Sequence, residues 1–61
     1  MTMAEIIIAR REKAGLTQQE LADQMKVPKQ RIVGYEKGIH EPSFLTYKIL
    51  IKVCNQYKNI L

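Results

Sequence analysis

Sixty-one residues with a formal net charge of +4 make one domain, spanning 1–61, with a small core. A chain this short buries only about 60% of the surface its unfolded form exposes. That leaves no room for a second domain or for the deep cleft most enzymes need, so a non-enzymatic module is expected. Hydrophobic residues make up 46% and charged residues 26%, a globular and not a disordered composition. The basic excess tilts toward a polyanionic partner without singling one out. Cys54 is the single cysteine, which excludes an internal disulfide and offers no metal-ligand spacing, so neither metal nor cofactor is expected. The run Ile6-Ile7-Ile8 is too short for a membrane span or signal-peptide core, and Arg10 and Arg11 follow it. A cytoplasmic chain with no membrane association is the expectation.

In chain order, Thr2-Met3-Ala4-Glu5 has the form of a capping box, in which the Thr2 hydroxyl and Glu5 carboxylate each take the other's backbone N–H. The helix it opens is expected to run to Lys13 or Ala14 and to stop at Gly15. Met3, Ile7 and Ala14, with the Arg11 stem, share one face, and Ile6 and Ile8 flank it. Thr17-Gln18-Gln19-Glu20 repeats the box, and Leu16 with Leu21 can close a hydrophobic staple across it. This second helix turns Leu21, Ala22 and Met25 inward and ends by Val27, because Pro28 disfavours a helical residue before it. A third helix starts at or after Pro28, runs from Lys29 to Glu36 or Lys37, and stops at Gly38. Ile32 and Tyr35 are its inward positions, and Lys29, Gln30, Arg31, Val33 and Gly34 are left toward solvent. After a loop over 38–42, Ser43 caps a fourth helix, for which Asn55 is the expected stop. The remaining tail could add a last turn with Tyr57, Ile60 and Leu61 folded back. No strand pattern or repeat is present, so the fold expected is all-α, a compact bundle of four to five short helices.

Two short helices joined by a tight turn, the second exposing polar donors, form the helix-turn-helix unit. Its second helix lies in the major groove with its N-terminal residues facing the base edges. Lys29, Gln30 and Arg31 stand at that end. Glutamine pairs bidentately with adenine, and lysine or arginine with guanine.

The ordered set Gly15-Leu16-Thr17-Gln18, Glu20-Leu21-Ala22, Val27, Ile32, Tyr35-Glu36-Lys37-Gly38 and Pro42-Ser43 resembles the Cro-type phage-repressor family, also called the xenobiotic-response-element helix-turn-helix family. The resemblance runs unbroken from about Ile7 to Cys54. It implies a lambda-repressor-like bundle and a sequence-specific regulator of transcription, a repressor, acting on double-stranded DNA. It also implies that Lys29, Gln30 and Gly34 contact bases with Arg31 and Val33 nearby, and that Gln18 and Lys37 grip backbone phosphates. Ala22 matches the small residue that lets the two helices approach, and Arg11 and Glu36 match a pair that forms an ion bridge in some members. Three positions depart from the family pattern. Lys26 stands where a glycine commonly relaxes the turn, Pro28 replaces the usual serine or threonine cap, and Gly34 offers no side chain at a base-reading position.

Beside these readings stand blander ones. Lys29, Gln30 and Arg31 by themselves describe a solvated helix face. Cys54 reads as a small core hydrophobe, Tyr35 and Tyr47 as core aromatics, and His40 as a lone loop residue with no ligand or catalytic role. On the fourth helix, Phe44, Tyr47, Leu50, Ile51 and Cys54 are expected to fill the core. Leu45, Ile49 and Val53 then form a second stripe, with Ile60 of the tail as an extension. That stripe is expected to join two copies into a homodimer on a palindromic operator. The competing function is an antitoxin-like or adaptor protein that uses the same stripe to hold another protein.

Overall fold

Each of the expected start signals opens a helix. The computed structural model describes residues 1–58, and its elements are α1 (Met3–Lys13), α2 (Gln18–Met25), α3 (Lys29–Lys37) and α4 (Phe44–Lys58). Both capping boxes are closed. Glu5 N–H donates to the Thr2 hydroxyl at 3.2 Å and Thr2 N–H to the Glu5 carboxylate at 2.8 Å; the Thr17–Glu20 distances are 3.0 and 2.8 Å. The Thr2 hydrogen bonds, from backbone first and side chain second, hold the Glu5 carboxyl below its ordinary value of 4.5. At α4, the Ser43 hydroxyl accepts from Thr46 N–H at 3.2 Å, as its position before the helix leads one to expect.

The first three helices close alike. A residue at positive φ follows the last turn, and the next N–H reaches back five residues: Leu16 to Arg11, Val27 to Ala22 and Ile39 to Gly34, at 3.2, 3.0 and 3.0 Å. Glycine takes the left-handed position twice, at Gly15 and Gly38, but after α2 it is Lys26, at φ 59°. A side chain there costs on the order of 1 kcal/mol of backbone strain. The strain is accepted at the turn between the two helices whose mutual angle matters most.

The core is one cluster of Ile7, Leu16, Leu21, Ala22, Ile32, Tyr35, Leu50 and Cys54, drawn from all four helices and the α1–α2 link. Leu16 and Leu21 both belong to it, which places the staple residues where the sequence predicts. Met3, Ala14, Met25, Val27 and Tyr47 pack against it. Cys54 is buried, and burial pushes its thiol above the ordinary value, the state of an inert packing residue and not of a nucleophile.

Three expectations for the second half of the chain are corrected. Phe44 is not in the core but 77% exposed. It lies six residues before Leu50, about 120° round the helix at 100° per residue, and at the helix start, beyond the edge of the cluster. Lys48 Nζ stands 5.4 Å from its ring centroid. Val53, assigned to the outer stripe, packs against the core, being only about 60° from Leu50 on the same helical wheel. Asn55 does not end α4, which continues to Lys58, because Tyr57 prolongs the inward face of Leu50 and Cys54 by one more turn. Four helices therefore account for the described residues, and Ile60 and Leu61 lie outside them.

Candidate nucleic-acid interface

α3 is held by its rear face. Ile32 is fully buried and Tyr35 nearly so. Glu36 also turns inward, where its carboxylate takes three hydrogen bonds. Arg11 donates from Nε to Oε2 at 2.6 Å and from Nη2 to Oε1 at 3.2 Å, and Gln18 donates from Nε2 to Oε1 at 3.0 Å. Arg11 Nη1 completes the set by donating to the Leu16 carbonyl at 2.8 Å. The expected Arg11–Glu36 bridge is thus present. Its side chains are 14% and 6% exposed, and the bidentate fork matches a planar guanidinium to a carboxylate. The Glu36 hydrogen bonds raise the Arg11 guanidinium above its ordinary value.

The link to Gln18 goes beyond the sequence expectation, which gives Gln18 a phosphate contact alone; the carboxylate that holds its amide lies 18 residues away. No local pattern reports such a pairing. Its consequence is that the first residue of α2 and the last turn of α3 share one anchor, which fixes the angle between the two helices.

With Glu36 drawn inward, α3 presents no acidic side chain to solvent. Lys29, Gln30, Arg31 and Lys37 are exposed along it and Val33 is half-buried. Their exposure agrees with the outward positions read from the sequence.

Gly34 does not agree. It lies on the outward side of the helix but is buried there, covered and not open to solvent. The loop after α3 returns over it: a Cβ at position 34 would lie 2.9 Å from His40 Cδ2. The signal that could have found this is Gly34 itself, since a glycine inside a helix costs about 1 kcal/mol against alanine and implies a close approach.

Among the described residues there is no group of His, Cys, Asp or Glu able to hold a metal ion, and no helix is long and apolar enough to cross a membrane. On α4, Leu45 and Ile49 are 67% and 46% exposed, and Phe44 at the start of the helix is exposed too.

A short helix, a tight left-handed turn and a second helix clamped from behind with a cationic front define a helix-turn-helix domain. The chain belongs to the helix-turn-helix family, whose model matches residues 7–58, and the resemblance read from the sequence is borne out. Over 43 residues, 70% of the chain, it is 42% identical to a protein of Methanothermobacter thermautotrophicus named an uncharacterized HTH-type transcriptional regulator. The matched stretch covers 62% of that relative, less than two thirds of its length. No solved structure gives a significant match.

Proposed function

We propose that this chain is a DNA-binding regulator of transcription that lays α3 in the major groove of double-stranded DNA and represses by obstructing polymerase. The observation that carries the proposal is the inward turn of Glu36, which leaves Lys29, Gln30, Arg31 and Lys37 exposed on α3 with no acidic side chain of that helix among them. In this reading Lys29, Gln30 and Arg31 address base edges, with Val33 supplying apolar contact beside them. Lys37 and Gln18 set the register on the phosphates. The Gln18 amide has two N–H donors; one is committed to Glu36, and the other is available to a phosphate. Gly34, under His40, takes part through its close backbone packing and not through a side chain. The site of action is the cytoplasm, and no enzymatic step is involved.

The reading extends to a homodimer on a palindromic operator, with half-sites roughly 34 Å apart. Leu45 and Ile49 are the interface residues that remain once Val53 is assigned to the core, and exposed Phe44 enlarges the patch. Ile60 lies outside the described residues.

Selection of bound duplexes from a random library tests the proposal. An enriched palindrome is the expected result; a folded chain that enriches nothing at low salt would remove it. A second reading, an antitoxin-like or adaptor protein, rests on the same exposure of Phe44, Leu45 and Ile49. Salt separates the two. DNA affinity falls with a slope near −0.9 per neutralised phosphate, whereas an apolar protein contact responds little.

A further inference from the structure

Position 34 lies two residues from Ile32, about 160° away on the helical wheel at 100° per residue. Since Ile32 is fully buried, Gly34 sits in the middle of the outward face of α3. Gln30 stands one turn before it and Lys37 about one turn after. A side chain at this point would be the central one on the front of the helix, and the sequence supplies none.

The loop supplies one instead. The Gly34 carbonyl accepts from both Ile39 N–H at 3.0 Å and His40 N–H at 3.3 Å, which turns the chain back on the helix it has just left. The His40 ring comes to rest over the Gly34 Cα. Cδ2, Cγ and Nε2 lie 2.9, 3.7 and 3.9 Å from where a Cβ would be. No residue other than glycine leaves that room. His40 as a whole stays exposed, and no hydrogen bond engages its side chain among the described residues. The imidazole, its Cδ2 edge toward Gly34, therefore lies on the front of α3 in the place the missing side chain would occupy.

From this placement we infer that His40 is a base-reading residue, a specificity determinant delivered to the outward face of α3 by the loop after it. The inference rests on the DNA-binding reading above and names one more residue of that site. An imidazole N–H donates to the acceptors that guanine, adenine and thymine edges show in the major groove. A phosphate is the less favourable partner here, because Glu41 follows directly and lines the same concavity with Arg31, Tyr35 and His40. Its carboxylate repels a full phosphate charge more strongly than the partial charges of a neutral base edge.

The test is library selection with the full chain and with His40→Ala, His40→Gln and Gly34→Ala, each checked for helical content by circular dichroism. His40→Ala is expected to lose about tenfold of discrimination at one base-pair position while leaving the others unchanged, the size of one good base contact. The salt slope should not move, whereas Lys37→Ala should make it shallower by about one. Gly34→Ala pushes the ring aside and should disturb the same base-pair position as His40→Ala. His40→Gln, which keeps a donor of different reach, should change the preferred base there. If His40→Ala misfolds, the Gln and Gly34 variants decide. Base weights identical to the unmodified chain would overturn the inference, and so would a uniform loss across all sequences with a shallower salt slope. No enrichment by the unmodified chain would instead remove the DNA reading itself, and this inference with it.

Discussion

α2 begins with its own local fastening, Thr17 and Glu20 exchanging hydrogen bonds across the first turn, whereas α3 begins at Pro28 with no side-chain cap. One helix is specified by four consecutive residues. The other is specified by what lies behind it: Ile32 and Tyr35 in the core, and Glu36 on Arg11 and Gln18. Gly34 weakens α3 by a further ~1 kcal/mol. A helix offered to a groove keeps its exposed face for the partner, so its order has to come from the rear. The comparison teaches that the front of α3, Gly34 under His40 apart, can vary in sequence at little cost to the fold, while its rear cannot.

Ile32→Ala should show the largest effect, a loss of about 2–5 kcal/mol, because a fully buried side chain is removed from the middle of a small core. Urea unfolding measures it. Glu36→Ala follows at about 3 kcal/mol, since it leaves the Arg11 charge nearly buried without a partner. A double-mutant cycle with Arg11→Ala should give a coupling energy above about 0.5 kcal/mol. Additive losses would mean that the rear clamp contributes nothing as a pair.

The two helix starts themselves give smaller changes of contrasting kind. Thr17→Ala should cost about 1 kcal/mol by opening the box. Pro28→Ser gains a cap of similar size but gives up the ~0.4–1 kcal/mol by which proline restricts the unfolded chain. The net change should stay within about 0.5 kcal/mol of zero. A large gain from Pro28→Ser would show that α3 depends on its start after all.

The smallest effect is a pH dependence at the first capping box. The folded Glu5 carboxyl lies below its ordinary value of 4.5, so its contribution is complete above the unfolded value. It is lost as pH falls through the lower, folded one. A melting curve of Glu5→Gln should therefore lose part of the acid sensitivity of the parent chain below about pH 4.5.

What the sequence discloses and what it withholds follow the range of each interaction. The capping boxes, the staple and the stops at Gly15 and Gly38 lie within a few residues, and each stands where local chemistry puts it. Lys26 stands where a glycine commonly relaxes the turn, and the structure holds it in the left-handed conformation that a glycine would take. The Arg11–Glu36 pair spans 25 residues and was legible only through the family resemblance. The Gln18–Glu36 bond depends on how α2 and α3 meet in space, so no period or motif announces it, and the seat of His40 over Gly34 is signalled only by the glycine inside the helix, which does not name its neighbour. α4 misled for a different reason. Its helix is apolar on several sides, and hydrophobicity alone could not say that Phe44 faces water and Val53 the core. The cations of α3, read locally, are exposed as expected.

Arg11 carries a consequence of another sort. One guanidinium bonds to Glu36 on α3 and to the Leu16 carbonyl between α1 and α2, and through Glu36 it also reaches the start of α2. Opening any one of these segments alone would leave its share of those donors and acceptors without partners. Separating any of these three helices from the clamp is then a collective opening, costlier than the fraying of an end or a loop. The angle between α2 and α3 is set by contacts within the fold, so the exposed face of α3 is shaped before any partner arrives.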